Sequence, residues 1–134
     1  MMTPERFKHY TLGIPELDND HWELFEILNK LSIAKKNCNS DYSSILKNKF
    51  VKLFNLHTNR EIELAIKWRF PFTEYHDSSH PTLIDMLYKR TKLSTSECLS
   101  ELDVSDMINS LCEHIDKYDF QYVPFYKAWK EKHV

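Results

Sequence analysis

The segment that decides the fold runs from residue 46 to residue 68 and reads LKNKFVKLFNLHTNREIELAIKW. Its apolar positions recur at steps of three and four residues, which is the period of one face of an α-helix. A histidine and a glutamate occupy that face at positions where leucine would be expected. We therefore predict a long helix that starts near Asp41, ends before Pro71 and carries polar side chains in its inward stripe. The stripe consists of Leu46, Phe50, Leu53, His57, Glu61, Leu64 and Trp68.

Three further segments show the same helical period. The first follows Asp18, a residue type that favours the N-cap, and extends to about Lys36. The last of them is opened by Ser94 and Glu97, which have the spacing of a capping box. The three stripes are His21, Leu24, Leu28 and Leu31; His76, His80, Leu83 and Leu87; and Val104, Met107, Leu111, His114 or Ile115, and Tyr118.

Four amphipathic helices with modest connections predict an all-α fold, an antiparallel up-down-up-down four-helix bundle. No repeat or linker divides the chain, so we expect a single domain over residues 1–134. We expect the bundle to occupy residues 18–122. We expect residues 123–134 to form a C-terminal segment with a short helix that Pro124 can begin.

Residues 1–17 are predicted to form an extended N-terminal arm. This stretch contains Pro4, Gly13 and Pro15, and it shows no helical period.

Composition excludes several classes of protein. The chain has one glycine among 134 residues, whereas phosphate-binding loops, dinucleotide folds and tight hairpins need several. The formal charge is −2 and no basic run occurs, so nucleic acid is not expected as a partner. No stretch is apolar enough for a signal peptide or a membrane span, and the three cysteines form no zinc or redox motif. We therefore expect a reduced, cytoplasmic protein that does not interact with a membrane.

Histidines are unusually placed in this chain. Five of the seven lie on the apolar stripes, together with Glu61, and Asp119 follows the last of them by five residues. A single inward histidine is more often a hydrogen-bonded core residue than a metal ligand. Burying five imidazoles and two carboxylates, however, costs several kcal/mol for each unpaired group, and bound metal offsets the cost for all of them at once.

Spacing supports a shared metal site. His57 and Glu61 are four residues apart, as are His76 and His80, and residues four apart on a helix project to the same side. Seven ligands exceed the four of a structural zinc, so two ions are indicated. Imidazole mixed with carboxylate suits iron, and also manganese or zinc. No Glu-x-x-His motif of the ferritin-like proteins occurs.

In this arrangement the chain resembles the hemerythrin family. The stretch from Gly13 to His21 looks like the segment that carries the family's first ligand. The motifs HxxxE, HxxxH and HxxxxD follow in the family's order, and the resemblance extends from Gly13 to Tyr122. The matching positions are His21, His57, Glu61, His76, His80, His114 and Asp119.

The resemblance implies a four-helix bundle around a non-haem di-iron centre. His76, His80 and His114 would hold one iron, and His21 and His57 would hold the other. Two iron ions would then be bridged by Glu61, Asp119 and an oxo or hydroxo group. Counting bonds to two six-coordinate irons leaves one position open, on the iron with two histidines, and dioxygen would bind there.

The walls of the expected ligand pocket depart from the family's habits. Thr58, Ala65 and Ser110 stand where the family often has larger or aromatic side chains, whereas Leu111 and Ile115 remain apolar. Smaller and more polar walls would admit water more readily, so we expect rapid autoxidation.

Two functions follow from these expectations. The first is reversible binding of dioxygen for delivery, storage or sensing. The alternative is a di-iron enzyme or sensor that acts on peroxide, nitric oxide or dioxygen by redox turnover. The stripes hold no general acid or base besides the ligands, which favours a binding protein over an enzyme. A third possibility is a metal, such as zinc, that only holds the fold. The sequence does not indicate a protein partner.

Overall fold

The computed structural model describes residues 1–36, 40–71 and 101–133, and within these ranges the protein is all-α, with no strand. The predicted third helix, with His76 and His80, and the capping box at Ser94 and Glu97 lie outside the described residues. The single-domain organisation stays a prediction.

The helices are α1 (Pro4–Phe7), α2 (Pro15–Lys36), α3 (Ser40–Trp68), α4 (Glu101–Lys117) and α5 (Val123–Lys132), with 3-10 turns at Lys8–Tyr10 and Asp119–Tyr122.

The expectation of an extended arm over residues 1–17 is wrong. The hydroxyl of Thr3 accepts a hydrogen bond from the backbone N–H of Arg6 at 3.2 Å and caps α1, in which Pro4 stands at the first position. Helix α2 likewise begins at Pro15, three residues before the predicted start. Proline suits the first turn of a helix, where its missing N–H has no partner to lose, so these prolines begin helices instead of marking extended chain.

Asp18 is therefore not the N-cap of α2, although it does order the helix entrance. Its carboxylate accepts hydrogen bonds from the backbone N–H groups of Leu12, at 2.7 Å, and Gly13, at 3.0 Å. Gly13 has a φ of 78°, a left-handed conformation that glycine adopts at little cost. The turn places Ile14 and Leu17 in the core, where both are fully buried.

Helix α3 ends in a left-handed turn ahead of Pro71. The N–H of Phe70 donates to the carbonyl of Ala65 at 2.8 Å, and the N–H of Arg69 donates to that of Ile66 at 3.2 Å. These two bonds form a Schellman motif, which requires a positive φ at the residue after the helix. Arg69 supplies it with a φ of 58°, in a position that glycine usually occupies.

Helices α2 and α3 run antiparallel, and α2 also packs on α4. Asp20, near the start of α2, contacts His57 and Arg60 in the second half of α3, whereas Lys30 lines a groove with Tyr42 near the start of α3. The stripes predicted on α2, α3 and α4 face the core. Its fully buried apolar side chains include Leu24, Phe25, Leu28, Leu31, Phe54 and Ile115.

The C-terminal part follows the prediction closely. Helix α4 spans Glu101–Lys117 without a break, and Pro124 lies in the first turn of α5, which ends at Lys132. Between them the chain tightens into the 3-10 turn that begins at Asp119. Across the described ranges, every helix is too short or too polar to cross a bilayer.

Candidate metal centre

Four buried polar side chains meet where α2, α3 and the turn after α4 come together. They are His21, His57, Glu61 and Asp119, and each offers one ligand atom within 4.8 Å of the ligand atoms of the others. His57 is 2% exposed, and the other three are completely buried. We call these four residues the buried cluster.

Helical spacing explains the α3 half of the buried cluster. His57 and Glu61 are one turn apart, and His57 Nε2 lies 2.5 Å from Glu61 Oε1. His21 reaches the same point from α2, on the stripe that it shares with Leu24 and Leu28. The rings of His21 and His57 lie edge to face, with centroids 4.9 Å apart.

The helix end after α4 brings Asp119 inward. The N–H of Tyr118 donates to the carbonyl of His114 and closes the last turn, and the 3-10 turn then carries Asp119 toward α2. Its Oδ2 lies 3.0 Å from His21 Nε2, and its Oδ1 lies 3.3 Å from His114 Nε2. The five-residue spacing, which does not fit one face of a straight helix, is accommodated by this change of helix type.

Charges in the cluster are mutually dependent. Burial alone would lower the pKa of His57, but Glu61 and Asp20, with Asp119, outweigh it and raise that pKa from 6.5 to about 10. Burial and the neighbouring Glu61 would raise the pKa of Asp119, but His114 and His21 hold it below its usual range. The two carboxylates thus require positive charge beside them, which a proton on an imidazole or a metal ion can supply.

Hydrogen bonding in the cluster is incomplete in a way that suits a metal ion. Within the described ranges, Nδ1 of His21 has no hydrogen-bond partner, and the other two inward nitrogens, His21 Nε2 and His57 Nε2, meet only the carboxylates of Asp119 and Glu61. Buried polar atoms are nearly always hydrogen-bonded, and each one left without a bond costs about 1–3 kcal/mol. A cation placed among these nitrogens and the two carboxylates would receive their lone pairs and neutralise their charge. The residues present therefore fit a metal site with imidazole and carboxylate ligands.

Asp20 is a functional residue that the sequence interpretation did not single out. His57 Nδ1 donates to Asp20 Oδ2 at 3.0 Å, and Arg60 donates to the other oxygen, Oδ1, at 2.6 Å. Asp20 is 4% exposed. A carboxylate on the far nitrogen of a histidine fixes the ring and its tautomer, so that Nε2 faces the cluster. Asp20 directly precedes His21, and only the packing of α2 on α3 shows that it serves His57.

Tyr122 is the second such residue. Its hydroxyl donates to Glu61 Oε2 at 3.2 Å, and the side chain is fully buried against Trp68 and Phe70. Burial and the carboxylates Glu61 and Asp119 raise the pKa of Tyr122, so the hydroxyl keeps its proton and remains a donor. In the sequence, the position of Tyr122 three residues after Asp119 was the feature that could have indicated its place in the site.

Other predicted ligands are placed as follows. His114 is 4% exposed and contacts Asp119, although it does not belong to the group of four whose ligand atoms all approach one another. His76 and His80 fall in the part of the chain that is not described.

Of the predicted pocket residues, Ala65, Leu111 and Ile115 are buried in the core, and Thr58 and Ser110 are half-buried. The hydroxyl of Thr58 donates to the carbonyl of Phe54 at 3.0 Å, so its hydrogen is used within α3.

Comparison with protein-family models, curated proteins and solved structures finds no match for this chain.

Proposed function

We propose that this protein is a non-haem di-iron protein of hemerythrin type that binds dioxygen reversibly. The observation that carries the proposal is the placement of Asp119. Its two oxygens face two different histidines, His21 and His114, which the sequence resemblance assigns to two different irons. A carboxylate with one oxygen directed to each side is what a bridging ligand requires.

The proposed ligand set extends this geometry. His21 and His57 would hold one iron, His76, His80 and His114 the other, and Glu61 and Asp119 would bridge them with an oxo or hydroxo group. The helical segment with His76 and His80 would complete a four-helix bundle with α2, α3 and α4. Support comes from the antiparallel α2 and α3, and from the convergence of four proposed ligands, the buried cluster, on one point.

The chain's own residues have defined tasks in this proposal. Asp20 holds the ring of His57, and the Tyr122 hydroxyl holds one oxygen of Glu61. Complete burial of His21, Glu61 and Asp119 keeps bulk water away from the cluster. When bound, an iron pair would supply reversible electron exchange with dioxygen.

Reversible binding is favoured over redox turnover by the predicted pocket residues that the structure describes. The alternative, a di-iron enzyme or sensor that acts on peroxide, nitric oxide or dioxygen, would be favoured by rapid autoxidation behind small and polar pocket walls. The hydroxyl of Thr58, however, is bonded to its own helix, and Ala65, Leu111 and Ile115 are buried apolar side chains.

The test is metal analysis with a visible spectrum on protein reduced without oxygen and then exposed to air. We expect two irons per chain and a charge-transfer band that appears with oxygen and disappears on its removal. Two irons that oxidise at once, without an oxygenated form, would favour the enzyme or sensor. Zinc, or no metal, would overturn the proposal.

A pair of variants on α3 makes the test specific. Glu61→Gln removes one proposed bridging carboxylate, and we expect the bound metal to be lost on dialysis. Glu63→Gln makes the same change of charge two residues away at an exposed position, and it should retain the native metal content. Equal metal contents in the two variants would show that the buried cluster does not hold the metal.

A further inference from the structure

A second site candidate lies away from the buried cluster, in a cleft between the end of α3 and helix α5. The cleft has a volume of about 380 Å³. Of the residues that the structure describes, no acidic side chain lines it. Its principal lining residues are three cations, Lys67, Arg69 and Lys132, and three aromatic residues, Trp68, Phe125 and Trp129.

Positive charge in the cleft exceeds what its helix ends require. The carboxyl ends of α3 and α5 both lie here, and each carries roughly half a negative charge. Lys67, Arg69 and Lys132 bring three full positive charges, so an excess of roughly two remains. All three side chains are exposed, and the excess is available to an anion from solvent.

The indole ring of Trp129 makes two contacts that indicate which ligand groups the cleft can bind. The imidazole of His133 is stacked on its indole, with centroids 4.8 Å apart and planes 18° apart. The ammonium of Lys67 lies 4.4 Å from the same ring. The indole therefore already takes a flat ring and a cation from the chain itself. His133 is exposed, so a planar ligand can take its place.

We propose that this cleft binds a small planar anion, an aromatic ring that carries a phosphate group. The ring would stack on Trp129, and the phosphate would be held by Lys67, Arg69 and Lys132. The volume is at the lower end of the range for small-molecule sites, which begins at about 300 Å³. This site does not depend on the proposed metal function, because none of its principal lining residues is a proposed metal ligand.

Adenosine monophosphate is a suitable probe, and the three tryptophans provide the readout. The indole N–H signals of Trp22, Trp68 and Trp129 can be followed separately by NMR during titration of the full chain. We expect the signals of Trp129 and Trp68 to shift. The signal of Trp22 should stay constant, because Trp22 packs on Phe7 elsewhere. Adenosine and inorganic phosphate at the same concentrations should cause no comparable shift.

Two matched variants test the charge requirement. Lys67→Gln should weaken binding by about fivefold, whereas Lys130→Gln should leave it unchanged. Both lose one positive charge, but Lys130 lies over Tyr126 and does not line the cleft. His133→Ala should bind at least as tightly as the native protein, since it removes the ring that the ligand displaces.

The proposal is overturned by any of three results. No shift at millimolar nucleotide excludes the site, and an equal shift at Trp22 shows non-specific association. If inorganic phosphate is as effective as the nucleotide, the cleft is an anion site without a role for the rings.

Discussion

The two ends of the α2–α3 pair use the same two helices and bury very different side chains. At one end Leu28 and Leu31 of α2 accompany Leu46 and Phe50 of α3, and all four are buried and apolar. At the other end Asp20 and His21 stand where α2 meets His57 and Glu61, and these four are buried as well. Apolar burial stabilises the first end without further partners, whereas the second end requires each charge and each lone pair to be matched.

This comparison separates the stability of the protein from its chemistry. Burial of apolar side chains at the first end stabilises the packing of α2 on α3 whether or not metal is present. The polar end costs free energy unless protons or metal ions occupy it. Variants at the two ends should therefore respond differently to metal and to pH.

The largest effect on folding is expected at the apolar end. Leu28 is fully buried, and Leu28→Ala should lower the free energy of unfolding by about 2–5 kcal/mol, because it removes buried methyl groups and leaves a cavity. The loss should be the same with and without metal, since Leu28 is about 10 Å along α2 from His21. Chemical denaturation measures both values. Ile33→Ala, on the same helix but at a side chain that is 51% exposed, should change stability by only about 0.5 kcal/mol. Similar losses in the two variants would contradict the placement of the core.

A pH series tests the polar end. The raised pKa of His57, about 10 against 6.5 in the unfolded chain, means that the metal-free fold binds a proton more tightly than the unfolded chain does. Its contribution to stability is fully present below pH 6.5 and is lost as the pH rises toward 10. Metal binding instead requires the unprotonated ring, and it strengthens over the same range. We therefore expect the difference in unfolding free energy between loaded and metal-free protein to grow from pH 6.5 to about 10. A constant difference would show that metal does not displace the His57 proton.

A smaller effect is expected for the residue behind His57. Asp20→Asn keeps an oxygen near His57 Nδ1 but removes the charge that makes the ring a stronger ligand, so the metal Kd should rise about 10- to 100-fold. Competition with a chromogenic chelator measures the constant. Glu16→Gln, an exposed change of the same charge on α2, should have no effect on it. If the two variants bound metal equally well, Asp20 would have no part in positioning His57.

The smallest expected effect on the free energy of unfolding is at the C-terminal end of α3, beyond the polar end of the helix pair. Arg69 has a positive φ, which costs a residue with a side chain about 1–2 kcal/mol, whereas glycine accepts it readily. Arg69→Gly should raise the free energy of unfolding by about 0.5–1 kcal/mol, after the greater entropy of glycine in the unfolded chain is allowed for. Lys67→Gly, inside the last turn of α3, should lower it by about 1 kcal/mol. Denaturation without added nucleotide measures both, and a loss of stability in Arg69→Gly would contradict the capping geometry.

The fold was predictable from the sequence wherever apolar residues recur at the spacing of one helix face. The stripe with Leu46 and Trp68 faces the core, and the end of α2 at Lys36 and the start of α5 near Pro124 are confirmed. The prediction of an extended N-terminal arm was wrong because proline was interpreted as a sign of extended chain, whereas Pro4 and Pro15 begin helices. The local pattern of apolar residues indicates which residues share a helix face. It does not decide the role of a proline, which is favourable in the first turn of a helix and disrupts the helix at later positions.

The sequence by itself determined that His57 and Glu61 share one face of a helix and that His21 lies on another inward stripe. Helical periodicity is a local property, and every residue needed to recognise it is within one segment. Only the tertiary structure decided that Asp20 serves His57, that Tyr122 serves Glu61, and that Asp119 has one oxygen toward His21 and the other toward His114. These contacts depend on how α2, α3 and the turn after α4 pack together, and the position of a residue along the chain does not specify its partner on another helix.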